Sequence, residues 1–157
     1  MNLLPVSLGE IKISRKNDEV LVCYGLGSCI AVCLYDKVNR IGGMFHCVLP
    51  ASNGRRDDPK YADIGVKVLL EKMFEAGAYR TTMTAKIAGG ACVLKLSTMD
   101  FDIGSKNIKA VIGHLQDNCI AISGKEVGGS ISRTVKLSVS TGAVSVKSAF
   151  GREIELC

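Results

Sequence analysis

Two apolar runs rich in β-forming residues lie on either side of a short polar break, a pattern typical of a β-hairpin. The first run covers residues 29–35, the break covers 36–39, and the second run covers 41–49. A turn that is symmetric about Lys37 and Val38 gives each residue of the first strand a defined partner on the second. A slip of one residue would move every side chain to the other face of the sheet, so this hairpin constrains the fold closely.

The symmetric hairpin places Cys29 directly opposite His46. Directly opposed residues on antiparallel strands have Cβ atoms roughly 4.5–5.5 Å apart on one face. A thiol becomes a strong nucleophile when a neighbour takes its proton, and imidazole is the side chain best suited to this near neutral pH. We therefore predict Cys29 as a nucleophile and His46 as its base. We also expect His46 to lower the pKa of Cys29, so that Cys29 is alkylated faster than the other cysteines.

A glycine-containing turn, Gly25-Leu26-Gly27-Ser28, comes directly before Cys29. It lacks the third glycine of a dinucleotide-binding fingerprint and the lysine of a P-loop. Such a turn lets backbone N–H groups converge beside the sulfur, where they can stabilise the oxyanion of a tetrahedral intermediate. We predict this role for the N–H groups of Ser28 and Cys29. The Ser28 hydroxyl is the weaker nucleophile candidate, because adjacent strand residues point to opposite faces and Cys29 shares its face with His46.

The composition suits one domain over residues 1–157, since 47% of the 157 residues are hydrophobic. The seven cysteines are an odd number and most lie in apolar runs. This favours a reducing, cytoplasmic environment, in which buried cysteines pack as small apolar side chains. No Cys-x-x-Cys pair occurs, so we expect neither a zinc site nor a thioredoxin-like redox site, and no cofactor.

The net charge of +5 comes from scattered Lys and Arg residues, and the chain has no Trp and only 5% aromatic residues. These features argue against nucleic-acid binding, because single-strand binders use aromatic stacking platforms. An acidic protein partner or an ordinary solvated surface explains the charge better. No apolar run reaches the length of about eighteen residues that a membrane span needs, and no signal peptide is recognisable.

The remaining apolar patterns predict an α+β fold. Helical spacing predicts one helix over about 60–76, after the acidic start Asp57-Asp58-Pro59, and a second over about 105–116. His114 lies off the apolar stripe of the second helix and is predicted to be a surface histidine. Strands are predicted as a pair at 9–14 and 19–23, singly at 84–88 and 120–127, as a hairpin at 133–139 and 143–147, and at an edge at 154–156. The predicted architecture is a set of mostly antiparallel or mixed sheets in layers, with the helices on one side.

Six segments of the chain, in order, resemble the CheD family, the chemoreceptor glutamine deamidases of bacterial and archaeal chemotaxis. The turn before Cys29 resembles the family's cysteine motif, and Phe45-His46-Cys47-Val48-Leu49-Pro50 resembles its histidine segment. The other four segments are Lys60-Tyr61-Ala62-Asp63, Lys86-Ile87-Ala88-Gly89-Gly90-Ala91, Ile103-Gly104-Ser105-Lys106-Asn107, and Val127-Gly128-Gly129 followed by Arg133. The resemblance implies a layered α/β/β sandwich with a Cys-His site, distantly like toxin deamidases and papain-type enzymes.

The resemblance also implies an activity and partners. The activity is hydrolysis of selected glutamine side-chain amides on chemoreceptors to glutamate, with release of ammonia. The partners are the cytoplasmic helices of chemoreceptors (methyl-accepting chemotaxis proteins) and the CheC phosphatase, which compete for one surface. Two alternatives stay open: a non-catalytic or weakly catalytic module that binds and stimulates a CheC-type phosphatase, and a thiol hydrolase or amidase with a small-molecule substrate.

One position departs from the family pattern. The family usually carries a Thr six residues before its cysteine, which is thought to orient the histidine, and here that position is Cys23. A thiol is a weak hydrogen-bonding group. Either Cys23 orients His46 poorly, or a backbone carbonyl or another side chain does so instead, and reduced activity is one expected consequence. Residues 128–133 also depart from the family's more glycine- and asparagine-rich form.

Overall fold

The computed structural model describes residues 1–54, 58–92 and 102–156. Within them the chain forms two α-helices, a short 3-10 helix at Arg80–Thr82 and ten strands. The helices are α1 (Ala62–Glu75) and α2 (Ile103–Asp117). The strands are β1 (Asn2–Pro5), β2 (Ile11–Ser14), β3 (Glu19–Leu26), β4 (Ile30–Asp36), β5 (Ile41–Cys47), β6 (Met83–Gly89), β7 (Ala121–Val127), β8 (Arg133–Ser138), β9 (Val144–Ser148) and β10 (Glu153–Leu156).

The strands form two mixed sheets of five strands each. The central sheet has the order β2-β5-β4-β6-β7, and the outer sheet has the order β1-β3-β8-β9-β10. Both helices pack on the central sheet, α1 against β2 and β5 and α2 against β4, β6 and β7. The outer sheet covers the opposite face, through contacts of β3 and β8 with β4, β5 and β6. This three-layer arrangement confirms the predicted α+β sandwich with helices on one side.

Alternation along the central strands separates two apolar cores. On β4, Ile30, Val32 and Leu34 pack in the core beneath the helices. The residues between them, Ala31 and Cys33, pack in the core between the two sheets. We call the two sides of the central sheet its helix face and its inter-sheet face.

The two predicted helices are confirmed, with small shifts at their ends. The first begins at Ala62, two residues later than predicted; Asp57 of its predicted start lies outside the described residues. The second begins two residues earlier than predicted, because the Asp102 carboxylate accepts hydrogen bonds from the N–H and hydroxyl of Ser105 at 3.0 and 2.7 Å. No helix in the described parts of the chain is long and apolar enough to cross a membrane.

The strand pair predicted at 9–14 and 19–23 is wrong, although both strands exist. The first, β2, pairs with β5 in the central sheet, and the second, β3, pairs with β1 and β8 in the outer sheet. The reason is that the two strands bury their apolar residues in different cores. Ile11 and Ile13 pack beneath the helices, whereas Leu21 and Cys23 pack between the sheets.

The centre of the turn between β4 and β5 lies one residue further along the chain than the sequence analysis assumed. Asp36 is paired with Ile41, so four residues form the turn and its centre lies between Val38 and Asn39. The buried Asp36 carboxylate fixes this turn by accepting the N–H groups of Val38 and Asn39 at 2.9 and 3.0 Å. Burial raises the pKa of Asp36, but hydrogen bonds from Asn39 and Tyr79 outweigh it and hold the pKa well below its usual range.

Candidate active site

The observed register places Ala31, not Cys29, directly opposite His46. The predicted pairing was therefore wrong by two residues, because the centre of the turn is shifted by one residue. Because side chains alternate with a period of two, a shift of two leaves Cys29 and His46 on the same face. The pair is diagonal, a relation in which residues on antiparallel strands are about 7–8 Å apart and long side chains still reach each other.

His46 is almost fully buried on the inter-sheet face, at 5% exposure, and its ring orientation is fixed by a backbone group. The ring atom Nδ1 lies 2.9 Å from the carbonyl oxygen of Val6. A carbonyl oxygen only accepts hydrogen bonds, so the proton of the neutral ring is on Nδ1. This tautomer leaves the Nε2 lone pair available as a proton acceptor.

The backbone that follows Val6 also bonds to the main chain of His46. The chain leaves β1 in the outer sheet at Pro5 and joins β2 in the central sheet at Ile11, so residues 6–10 cross between the layers. In this crossing, Gly9 N–H donates to the His46 carbonyl at 2.9 Å, and His46 N–H donates to the Glu10 carbonyl at 3.1 Å. The sequence analysis missed this segment, for which a short apolar patch near the N-terminus is the only local signal.

Cys23 lies close to the same carbonyl group that holds His46. Its Sγ atom is 3.7 Å from the Val6 oxygen and 3.4 Å from Met44 Sδ, and the side chain is fully buried. Burial raises the pKa of the Cys23 thiol well above its ordinary value. The contact that orients the imidazole is thus the one with Val6, and Cys23 neighbours the acceptor.

The turn that carries Cys29 crosses from the outer sheet to the central sheet, since β3 ends at Leu26 and β4 begins at Ile30. The bulge that precedes it, at residues 24–25, includes Gly25 with a left-handed φ of 59°. Ala91 N–H donates to the Gly27 carbonyl and Gly90 N–H donates to the Cys29 carbonyl, both at 2.8 Å. In the described part of the chain, neither the Ser28 N–H nor the Cys29 N–H has a backbone acceptor.

Close packing against Gly89 also fixes the position of Cys29. Gly89 has a φ of 116°, and a Cβ atom there would lie 2.2 Å from the Cys29 carbonyl oxygen. Only glycine permits this approach. The double glycine at the end of β6 therefore helps to hold the turn that carries Cys29.

Burial dominates the ionisation of both predicted catalytic groups. It raises the pKa of the half-buried Cys29 above its ordinary value of 9.0. It lowers the pKa of His46 below its ordinary value of 6.5, although the hydrogen bond to Val6 opposes this shift. The expected lowering of the Cys29 pKa is therefore wrong. The reason for expecting Cys29 to be alkylated fastest is lost with it, since Cys119 is more exposed than the other described cysteines. Both shifts favour the uncharged forms, a thiol and a neutral imidazole.

The geometry defines a class of protein: a layered α/β/β sandwich with a cysteine and an oriented histidine on the inter-sheet face of its central hairpin. Residues 48–148 match the family model described as CheD chemotactic sensory transduction. The chain is 45% identical to a probable chemoreceptor glutamine deamidase CheD from Symbiobacterium thermophilum, over 96% of this chain and 95% of that protein.

Two further relatives give the same result. The chemoreceptor glutamine deamidase CheD of Thermotoga maritima is 41% identical, over 94% of this chain and 93% of its own. A probable chemoreceptor glutamine deamidase CheD from Methanococcus vannielii is 38% identical, over 98% of both chains. This chain belongs to the CheD family.

Proposed function

We propose that this chain deamidates glutamine side chains on the cytoplasmic helices of chemoreceptors, giving glutamate and ammonia, with Cys29 as the nucleophile and His46 as the base. The names of its full-length relatives support the reaction and the substrate. The observation that carries the catalytic assignment is the contact of His46 Nδ1 with the Val6 carbonyl at 2.9 Å. It leaves Nε2 free to accept a proton on the face that Cys29 shares.

The reaction proceeds by acyl transfer. His46 Nε2 takes the thiol proton as Cys29 Sγ attacks the glutamine Cδ, and the N–H groups of Ser28 and Cys29 receive the oxyanion. The imidazolium then gives its proton to the leaving nitrogen, so ammonia departs and a thioester remains. Water, deprotonated by His46, attacks the thioester, and the proton returns to Sγ as glutamate is released.

The ionisation of the resting pair matches this order of steps. With the pKa of Cys29 raised and the pKa of His46 lowered, the thiol keeps its proton until the substrate arrives. His46 then acts as a general base during the attack.

The same pKa shift favours the second candidate function. A half-buried thiol with a raised pKa is a weaker nucleophile at neutral pH, and Cys23 stands where the family has Thr. In that case the protein is weakly catalytic and acts mainly by binding and stimulating a CheC-type phosphatase. Both functions place the protein in the cytoplasm, beside the receptor helices.

Incubation with a purified chemoreceptor cytoplasmic fragment separates these functions. A deamidase releases ammonia and converts specific receptor glutamines to glutamates, which peptide mass spectrometry locates. If no ammonia appears while the protein still stimulates a CheC-type phosphatase, the enzyme assignment fails and the binding module stands.

Replacing Cys23 tests which group orients His46. We expect Cys23→Thr to leave turnover within about threefold of the wild-type value, because the Val6 carbonyl already holds Nδ1. Cys23→Val is the matched control, since it has a similar shape and no polar group, and it is expected to behave in the same way. The measurement is the initial rate of ammonia release. A tenfold or larger gain in Cys23→Thr alone would assign the orienting role to position 23.

A further inference from the structure

Asn107 connects α2 to both halves of the candidate site. It lies one turn into the helix and is fully buried, at 0% exposure. Its Nδ2 atom donates to the Ser28 carbonyl at 2.9 Å and to the Val48 carbonyl at 3.0 Å. One amide group thus joins the residue before Cys29 to the segment that follows His46.

The orientation of this amide is unambiguous. Both partners are carbonyl oxygens, which only accept, so the NH2 group must face them. The consequence is that Asn107 Oδ1 is buried without a hydrogen-bond partner among the described residues. The amide nitrogen is therefore the atom through which the Asn107 side chain bonds to the site.

The bond to Ser28 also determines the direction of the Cys29 N–H. The described chain has no cis peptide bonds, and in a trans peptide the C=O of one residue and the N–H of the next point in opposite directions. The Ser28 carbonyl is held towards α2, which packs on the helix face. The Cys29 N–H is therefore directed away from the Asn107 amide, and it has no backbone acceptor among the described residues.

The bond to Val48 adds a second restraint. Val48 follows the last residue of β5, and Ser28 precedes the first residues of β4. By bonding to both, Asn107 fixes the spacing of the two strands at their open end, next to the diagonal between Cys29 and His46. The neighbouring carbonyls of Gly27 and Cys29 are held by backbone N–H groups, so Asn107 supplies the bond that the backbone does not.

We propose that Asn107 is a positioning residue that aims the Cys29 N–H at the oxyanion of the tetrahedral intermediate. The proposal rests on the proposed function, in which Cys29 is the nucleophile. It assigns Asn107 an effect on the formation of the oxyanion and no direct effect on the thiol.

The test compares Asn107→Leu and Asn107→Ser with Asn118→Ala. Asn118 is the C-cap of the same helix, and its Nδ2 donates to the His114 carbonyl at 2.7 Å. Asn118→Ala therefore removes a side-chain hydrogen bond from α2 away from the site. Both Asn107 variants are expected to lose roughly tenfold to hundredfold in kcat on a chemoreceptor fragment, with KM within about threefold. Alkylation of Cys29 by iodoacetamide forms no oxyanion, so its rate is expected to stay within about twofold of the wild-type value.

Cys29→Ala in the same assay separates this proposal from the proposed function. An active Cys29→Ala variant overturns the function itself. If Cys29→Ala is inactive but the Asn107 variants behave like Asn118→Ala, the positioning role alone is wrong. An equal fall in turnover and in Cys29 alkylation, or unfolding of both Asn107 variants at the assay temperature, makes Asn107 a structural residue and also overturns the proposal.

Discussion

Cys29→Ala is expected to lower deamidation of a chemoreceptor fragment by about three decades or more, while the protein stays folded. In the proposed mechanism the thiol forms the covalent bond to substrate, and alanine offers no nucleophile. The side chain is only half-buried at the edge of the inter-sheet core, so its loss removes little packing. Initial rates of ammonia release measure the effect, and circular dichroism and thermal unfolding verify the fold.

Cys33→Ala is the matched control for this variant. Cys33 lies on the inter-sheet face of β4, four residues after Cys29 in the sequence, and it is buried in the same core. Burial raises its pKa to about 12, despite the nearby Lys86, so it has no reactive thiolate at neutral pH. We expect Cys33→Ala to lose stability and to keep its turnover. Wild-type rates in folded Cys29→Ala would remove Cys29 from the mechanism.

The face that carries Cys29 and His46 was predictable from the sequence, but their register was not. Alternation of apolar residues along the two strands determines which face each side chain takes. The register, that is, which residue of β4 lies opposite which residue of β5, depends on the turn, where the buried Asp36 carboxylate binds the N–H groups of Val38 and Asn39. Nothing in the residue pattern distinguishes a turn centred between Val38 and Asn39 from one centred one residue earlier.

The partition of the strands between two sheets was also beyond the sequence pattern. A short link between two strands is compatible with a hairpin or with a crossing between layers. The choice depends on which core buries Ile11 and which buries Leu21, and the cores form only when distant strands meet. For the same reason β1 was missed, because a strand of four residues is stabilised mainly by its partner β3.

The two groups that hold the site in place come from far along the chain. The Val6 carbonyl is 40 residues from His46, and Asn107 is 79 residues from Ser28. Residue types suggested a nucleophile and a base, since Cys and His carry that chemistry wherever they meet. The supporting contacts are a backbone carbonyl and an amide with no distinguishing local pattern, so only the folded chain identifies them.

His46→Gln is expected to lower turnover by about three decades or more, because glutamine has no group that accepts and returns a proton near neutral pH. Glutamine keeps an uncharged polar side chain in the space that the imidazole fills. The chain has only two histidines, so His114→Gln is the matched control and is expected to retain wild-type turnover. Rates for both variants are measured with the same receptor fragment, after circular dichroism has established that each is folded.

The pH dependence of the wild-type rate tests the role of His46 in a second way. The base must be neutral, and burial lowers its pKa, so kcat/KM should fall as the pH drops through a value below 6.5 and should be level at neutral pH. If the resting pair were a thiolate and an imidazolium, the rate would fall at alkaline pH, because the imidazolium would lose its proton there. In His46→Gln the acid limb should disappear, and the residual rate should rise towards the pKa of Cys29, above 9.0, as hydroxide replaces the base. An acid limb that persists unchanged in His46→Gln would assign it to another group and remove His46 as the base.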